Sequence, residues 1–303
     1  MDKLCDLKEA IAQEVKDGMF VAMGCGLEAL IPFASGYEII RQKKRELTLI
    51  APISDIQFDQ LIGAGCVKKV IAAWVGNVAS GLGHNFRRAM EEGIPNPLQM
   101  EEHSNLTLGL GLKAAAMGLP FLPTSTVRGS DFGQGSHFRT VACPFSGEEL
   151  LAVGAIVPDV AIIHVHRADS DGNAHAWGNL GVIQEAALAA KRVILTCEEI
   201  VNHEHILSDP NRTIIPGFLV SRVVHLPFGS HPSPTQGYAR RDDIFYFDYH
   251  KHSRSRDGFL NWLETWVYGV KGHKDYLDHL GIERVEKLKP ARDLLSPSVN
   301  FSM

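Results

Sequence analysis

The stretch from residue 161 to residue 199 constrains the fold more than any other part of this sequence. It begins with a short apolar run, Ala161–His166, and ends in a second β-rich run, Arg192–Cys197. An alanine-rich segment, Gln184–Lys191, lies between them. Short apolar runs predict buried strands, and the alanines favour a helix that packs closely against a sheet. The order strand, helix, strand predicts a βαβ unit with parallel strands.

Polar clusters follow both of these strands. The turn Asp169–Asn173 comes after the first, and we expect Glu198 and Glu199 at the end of the second. Ligands of open parallel sheets bind beyond the carboxyl ends of the strands, so both clusters are candidates for a binding site. For Glu198 and Glu199 a purely structural role is an equally open interpretation.

The remaining chain also alternates between strands and helices. Helices are predicted near residues 7–17, 34–42, 58–62, 86–92, 106–117 and 258–272, and strands at 19–23, 47–53, 67–74, 98–102 and 220–226. Residues 124–150, rich in glycine, serine and threonine, are expected to be mostly loop. This alternation predicts an α/β fold with an open, mainly parallel sheet and helices on both faces. We expect a single domain that spans residues 1–303.

Composition excludes several classes of function. The 303 residues carry a net charge of −5 without a dense basic run, which argues against a nucleic-acid partner. The five cysteines are scattered and form no CxxC pair, which argues for a reducing compartment and against a disulfide scaffold. The amino terminus is charged from residue 2, and no apolar run approaches membrane-spanning length. We therefore expect a cytoplasmic protein without a membrane partner.

Two familiar site patterns are only partly matched. Gly24-x-Gly26 follows a strand as in a dinucleotide-binding fingerprint, but Pro32 lies where the helix should run and the expected acid is missing. The glycines then indicate a tight turn or a loop that backs onto a substrate. His164 and His166 share one face of a strand and could bind a metal, but no HExxH motif supports this. Structural histidines are favoured, and we expect no metal site.

Two further segments offer polar groups for a site. Glu101 and Glu102 close a short strand, where a carboxylate could be a general base, hydrogen-bond a substrate, or simply favour the start of the next helix. The segment 128–135, RGSDFGQG, combines one cation, a hydroxyl and free backbone N–H groups. Such a composition suits a carboxylate or phosphate ligand, and equally a mobile surface loop.

Several motifs, taken in order, resemble the A (alpha) subunit of family I CoA-transferases, and most closely the glutaconate CoA-transferase type. The resemblance covers nearly the whole chain, and its strength lies in the order and spacing of the motifs. The matching segments are the Gly24 loop ending at Pro32, LIGAG-CVKKV (61–70), MEEHS (100–104), AAAMGLPFLP (114–123), AIIHVHRADSDGNAHAWG (161–178), LTCEEIV (195–201), DPNRTIIPG (209–217), PFGSHPS (227–233) and the aromatic carboxyl-terminal helix.

The resemblance implies an enzyme that moves CoA between an acyl-CoA thioester and a carboxylic, in our expectation dicarboxylic, acid. In that family a glutamate forms an acyl anhydride and then a glutamyl-CoA thioester, and it belongs to the B subunit in an E-x-G-x-x-G context. This sequence contains no such motif. The resemblance therefore implies a homologous B subunit, in an α2β2 assembly, with the CoA thioester as substrate and no permanently bound cofactor.

The resemblance also suggests site residues. In ring-opening relatives a catalytic carboxylate lies on the A chain at the position of Glu102, which we take as the catalytic candidate. The substrate-binding candidates are Gly24, Gly26, Ser104, Arg128, Gly129 and Ser130. The family's first loop commonly reads GGF, whereas Gly24-Cys25-Gly26-Leu27 here leaves more apolar surface near the expected substrate.

Three alternatives remain open at this point. The same superfamily contains subunits of CoA-thioester hydrolases that open steroid-derived rings, and of glutaconyl-CoA-type decarboxylases. Glu102 does not separate these classes from transferases, whereas the sequence of the B chain would. A non-enzymatic ligand sensor on a related fold ranks lower, because no helix-turn-helix segment or basic face accompanies the domain.

Overall fold

The computed structural model describes residues 3–135 and 137–290, and these form a large mainly parallel sheet and a small antiparallel one. The strands are β1 (Phe20–Met23), β2 (Leu47–Ile50), β3 (Val67–Ala72), β4 (Gln99–Glu102), β5 (Phe121–Thr124), β6 (Phe138–Ala142), β7 (Glu149–Gly154), β8 (Val160–Ala168), β9 (Ala174–His175), β10 (Val193–Ile200), β11 (Thr213–Ile215) and β12 (Val220–His225). The helices are α1 (Leu7–Glu14), α2 (Phe33–Arg41), α3 (Ile56–Gly63), α4 (His84–Glu91), α5 (Asn105–Ala116), α6 (Ile183–Ala189), α7 (His203–Leu207), α8 (Asp243–Ser253), α9 (Arg256–Leu263), α10 (His273–Leu280) and α11 (Ile282–Leu288).

The large sheet runs in the order β11-β9-β8-β1-β2-β3-β4, with β10 also paired to β8 and β12 to β10. Every pair is parallel except β8 with β9 and β9 with β11. The predicted βαβ unit is confirmed: α6 connects β8 to β10, and Val193 pairs with Ala161. The prediction of an α/β fold with a mainly parallel sheet is therefore confirmed.

Local sequence signals explain where several elements begin. Asp6 caps α1, because its Oδ1 accepts a hydrogen bond of 2.7 Å from the N–H of Glu9. The strands β1 and β2 read FVAM and LTLI and are almost wholly buried, as expected for parallel strands covered on both faces. None of the helices in the described part of the chain is long and apolar enough to cross a membrane.

The expectation that residues 124–150 are mostly loop is confirmed for the described residues, in which strand is limited to Thr124, Phe138–Ala142 and the first two residues of β7. Strand β6, which was not predicted, lies within this stretch and β7 begins at its end, and with β5 they form a three-stranded antiparallel sheet in the order β5-β7-β6. These strands are half-exposed, and the polar residues Arg139 and Thr140 interrupt in β6 the continuous apolar run by which a buried strand is recognised. A hydrogen bond of 2.9 Å from the N–H of Ile156 to the carbonyl of Gly111 ties the end of this sheet to α5.

Two smaller predictions also need correction. Glu198 and Glu199 do not follow the second strand of the βαβ unit but lie within it, because β10 continues to Ile200. The predicted helix over 258–272 is α9 followed by a π-helical turn, Glu264–Tyr268. The sequence analysis predicted no element for α8, α10 and α11; aromatic residues of α8, α9 and α10 pack against one another and against Tyr37 of α2. That packing is a long-range contact, which local periodicity does not reveal.

Candidate active site

The carboxyl edge of the parallel sheet collects the loops that follow β1, β2, β3 and β4. Several loops at this edge hold non-glycine residues at positive φ, among them Leu27 and Leu30 after β1, Asp55 after β2, and Phe228 after β12. Such conformations cost free energy and concentrate at functional sites. Four of these non-glycine residues lie at the edge that the general rule for open α/β sheets selects, while Lys43, Glu46 and Val127 have positive φ elsewhere.

Gly24 and Gly26 are required by the close packing of the first loop. Gly24 has φ +74°, and a Cβ there would stand 2.0 Å from Oγ of Ser54, which itself donates to the carbonyl of Met23. A Cβ on Gly26 would stand 2.3 Å from the carbonyl oxygen of Ala29. Glycine is therefore needed at both positions to close the turn, and contact with a substrate stays a prediction for them.

The two acids at the end of β4 differ sharply in their surroundings. Glu101 is partly buried, with Oε2 2.6 Å from Nζ of Lys69 and Oε1 3.2 Å from Nε2 of His103. Hydrogen bonding from His103, together with Lys69, lowers the pKa of Glu101 to about 2. Glu102 is exposed, and within the described residues its carboxylate makes no ion pair or hydrogen bond. The carboxylate of Glu101 is thus used in structural contacts, while that of Glu102 is available to contact a ligand.

Glu102 borders a groove of about 420 Å³ between the edge strand and α4. Its wall is mainly apolar, and the side chains that form most of it are Trp74, Val75, Leu82, Phe86, Met90 and Met100. Arg87 and Glu91 lie at the same groove but pair with each other at 2.9 Å. A carboxylate beside an apolar, concave surface can accept a proton or a hydrogen bond from a bound ligand.

Ser104 lies directly after β4 but has a structural task. Its Oγ accepts a hydrogen bond of 3.0 Å from the N–H of Thr107, and Oγ1 of Thr107 accepts one of 2.9 Å from the N–H of Ser104. This reciprocal capping box begins α5. A substrate contact of Ser104 stays a prediction, and it would have to compete with this cap.

The polar side chains of the predicted anion-binding loop around Arg128 already bond to nearby parts of the chain. Arg128 pairs with Glu148 at 2.9 Å and hydrogen-bonds the carbonyl of Glu149, while the hydroxyl of Ser130 donates to the carbonyl of Val127 at 2.7 Å. Gly129 has φ +79° and no atom near its missing side chain. None of these three candidate residues lines the groove at Glu102, so the structure does not bring the two groups of predicted residues into one cavity.

One histidine of this loop does reach the end of β4, and the sequence analysis missed it. The ring of His137 lies 4.6 Å from that of His103, between centroids. Burial lowers the pKa of His137, and a hydrogen bond with the backbone of Glu102 opposes that effect. His137 is 34 positions beyond His103, so no short-range pattern could have joined them. The apolar residues of the groove were missed for the same reason.

The buried histidines of β8 support a structural interpretation. Nδ1 of His164 lies 2.9 Å from Oγ1 of Thr196, and its Nε2 lies 2.9 Å from Oε1 of Glu198. The other oxygen of Glu198 accepts from the N–H of Phe228 at 2.8 Å. His166 stacks on Trp177 with centroids 3.7 Å apart. The hydrogen-bonding capacity of His164 and Glu198 is thus used in joining β8, β10 and the loop after β12.

One group among the described residues has the spacing of a metal site: Asp169, Asp171 and His203, with ligand atoms within 4.8 Å of one another. The carboxylate of Asp169 already accepts hydrogen bonds from the N–H groups of Asp171 and Asn173 and lies 2.8 Å from Nδ1 of His203. These bonds close the polar turn after β8, which accounts for the cluster without an ion.

Comparison with known proteins places this geometry among CoA-dependent enzymes. The sequence profile described as "Coenzyme A transferase" matches residues 5–226. The A subunit of 3-oxoadipate CoA-transferase from Pseudomonas knackmussii is 42% identical over 278 residues, which cover 91% of this chain and 97% of that protein. The A subunit of glutaconate CoA-transferase from Acidaminococcus fermentans is 36% identical over 95% of both chains. The crystal structure of glutaconate CoA-transferase from that organism superposes with a TM-score of 0.91 and 35% identity, over 96% of this chain and 97% of the other.

Proposed function

The chain belongs to the coenzyme A transferase family, as a subunit of the A type, and from this premise we propose how its site works. In the proposal, CoA moves between an acyl-CoA and a carboxylic acid, with dicarboxylic acids as the first candidates, at a site shared with a homologous B subunit. The relatives named above belong to transferases for 3-oxoadipate and glutaconate, both dicarboxylic acids. The proposed assembly is α2β2.

The observation that carries the proposal is that this chain has an available carboxylate beside an apolar groove but lacks the motif of the nucleophilic glutamate. The edge of the sheet presents Glu102, whose carboxylate has no partner among the residues that the structure describes, beside an apolar groove. The sequence contains no E-x-G-x-x-G motif to supply a nucleophile. A nucleophilic glutamate of the B subunit would attack the thioester carbonyl, forming an anhydride and expelling CoA thiolate. The thiolate would then attack the glutamyl carbonyl of the anhydride, releasing the first carboxylate and leaving a glutamyl-CoA thioester.

This chain would supply the wall that holds the acyl group and keeps water away. Exclusion of water matters, because hydrolysis of the anhydride or of the thioester would end the cycle without transfer. The apolar groove suits this task, and Glu102 would orient the bound acyl-CoA or accept a proton from it. Gly24 and Gly26 would shape the first loop, and Ser104, Arg128, Gly129 and Ser130 would border the acyl end in the assembled enzyme.

The test is an exchange assay on purified chains. This chain, the isolated B subunit, or their mixture is incubated with succinyl-CoA and a labelled dicarboxylic acid, and the appearance of the new thioester is followed. Exchange only in the mixture is expected. Robust exchange by this chain without its partner would refute the proposal that the B subunit supplies the nucleophilic glutamate. Free CoA without a new thioester from the mixture would instead indicate the hydrolase alternative.

A further inference from the structure

His103, just after β4, and His137, just before β6, are distant in sequence but lie close together in space. The rings of His103 and His137 lie 4.6 Å apart between centroids and are tilted by 41°. Phe138 at the start of β6 completes the cluster, with its ring 5.6 Å from that of His103. His103 is almost fully buried. The small antiparallel sheet therefore meets the large sheet directly beside Glu102.

The cluster continues into a chain of hydrogen bonds beneath Glu102. Nε2 of His103 lies 3.2 Å from Glu101, and Glu101 in turn lies 2.6 Å from Nζ of Lys69 on β3. Nδ1 of His103 lies 3.2 Å from Oγ1 of Thr107, which belongs to the capping box of α5. The backbone around Glu102 is thus fixed by three contacts: the pairing of β4 with β3, the hydrogen bond from His103 to α5, and the contact between the rings of His103 and His137.

The surroundings of His137 favour its neutral form. Its Nε2 is buried and has no hydrogen-bond partner within the described residues, so a proton there would be an unpaired buried donor. Burial and the neighbouring His103 disfavour protonation, and so does Lys69, whereas Glu101 and the backbone of Glu102 favour it. On balance the pKa of His137 lies below its ordinary 6.5.

We propose that His137 is a positioning residue for the transfer reaction: as a neutral ring packed on His103, it fixes the backbone of Glu102 and the start of β6 in one arrangement. Since the inference rests on the proposed function, wild-type exchange in the assembled enzyme is its precondition. Protonation of His137 would set a positive charge against His103 and Lys69, loosen the ring contact and let Glu102 move. A displacement of about 1 Å at a reacting group can cost on the order of a hundredfold in rate.

The experiment uses the enzyme assembled from this chain and its B subunit. His137→Phe keeps a ring for the contact but cannot be protonated, His137→Ala removes the ring, and His252→Phe on the exposed end of α8 is the matched control. We expect His137→Ala to lower kcat about tenfold or more with little change in KM. His137→Phe keeps the ring contact but not the hydrogen bond with the backbone of Glu102, so we expect it to keep more of the wild-type kcat at pH 8 than His137→Ala does and to lose the wild-type decline of kcat below about pH 6.5.

Thermal melting of each variant separates positioning from folding. If His137→Ala has a much lower melting temperature than wild type, the pH dependence of kcat in His137→Phe and wild type tests the positioning role instead, because both proteins keep a ring at this position. The inference fails if kcat of His137→Ala equals that of wild type, if His137→Phe loses as much activity as His137→Ala, or if the acidic decline of His137→Phe is unchanged. An inactive wild-type complex would instead count against the proposed function itself.

Discussion

At the scale of single residues, the end of β4 assigns opposite roles to two adjacent acids. Neighbouring residues on an extended strand point to opposite faces, so Glu101 meets Lys69 and His103 while Glu102 meets the groove. The sequence pattern left open whether either acid acts in chemistry or only in structure. The contacts remove Glu101 from the chemical candidates, because its carboxylate is already engaged on both oxygens.

The first prediction compares these two acids. Glu102→Gln in the assembled enzyme should lower kcat by about a hundredfold if the carboxylate acts as a general base, and should keep part of the activity if it only orients the bound acyl-CoA. In both cases the melting temperature should stay near that of wild type. Glu101→Gln should keep kcat within severalfold but melt earlier, because it leaves Lys69 without its partner. Steady-state kinetics and thermal melts on both variants make the comparison. The reverse pattern, with activity lost in Glu101→Gln alone, would place the reacting acid on the other face.

The second prediction concerns Asp55, a buried acid after β2 with φ +49°. Burial raises the pKa of Asp55 from 3.8 to about 6, against hydrogen bonds from the N–H groups of Val78 and Ile56. A raised pKa means that the folded state binds this proton more tightly than the unfolded state does. The stability contributed by protonation is then present below pH 3.8 and is lost as the pH rises to about 6.

Asp55→Asn should remove this pH dependence while keeping an oxygen that accepts from Ile56 and Val78. We expect the free energy of unfolding of wild type, relative to the variant, to fall by roughly 3 kcal/mol between about pH 4 and pH 7. Urea unfolding of both proteins at several pH values measures the difference. A constant difference across that range would show that Asp55 does not titrate in this window.

At the scale of elements, α5 connects the edge strand to the small antiparallel sheet. Its capping box of Ser104 and Thr107 begins the helix shortly after Glu102, and its second half accepts a hydrogen bond from the chain just after β7. The start of α5 therefore also fixes the position of the catalytic candidate. The motif MEEHS carries this cap in its last residue, which explains a serine there without a substrate.

The third prediction separates the cap from a substrate contact at Ser104. Ser104→Ala should cost about 1 kcal/mol of unfolding free energy, and Ser104→Asn should restore most of it because asparagine is an equally good cap. If capping is the only role, kcat/KM should follow stability and recover in Ser104→Asn. A variant with restored stability but a persistent loss of kcat/KM would identify the hydroxyl as a substrate contact. Ser130→Ala, in the loop around Arg128, tests the second predicted hydroxyl contact in the same assay.

At the scale of the whole molecule, the last helices are attached to the sheet through a buried ionic cluster. Asp242, before α8, makes a bidentate pair with Arg284 of α11 at 2.7 and 2.9 Å, and it lies 2.9 Å from Nε2 of His231 in the loop after β12. Burial opposes ionisation of Asp242, but the hydrogen bonds from His231 and Arg284 outweigh it and hold its pKa below 3.8. The cluster thus joins the sheet edge to helices that are distant in sequence.

The fourth prediction follows from that cluster. Asp242→Asn leaves Arg284 without its partner and should lower the free energy of unfolding by about 3 kcal/mol at neutral pH. Because the folded pKa lies below the unfolded one, this stabilisation is complete above pH 3.8 and disappears as the pH falls through the folded pKa. Urea unfolding of both proteins at neutral pH and at about pH 3 should show a smaller difference at the lower pH. An equal difference at both values would contradict the assignment.

What the sequence determined by itself is the set of elements whose signals are local. Apolar runs such as Ala161–His166 indicated the buried strands, alanines indicated α6, and Asp6 indicated the start of α1, because each signal acts within a few residues of the structure it produces. The order of these elements was enough to predict a parallel sheet, and the order and spacing of the motifs were enough to predict the family.

Only the tertiary structure decided which of these residues act together. It turned Glu102 toward an apolar groove and Glu101 toward Lys69, and it kept Arg128 out of that groove. It paired three half-exposed strands in an antiparallel sheet, and it placed the ring of His137 against that of His103. Each of these results depends on contacts between segments far apart in the chain, whose free energy comes from burial and pairing that no local pattern records.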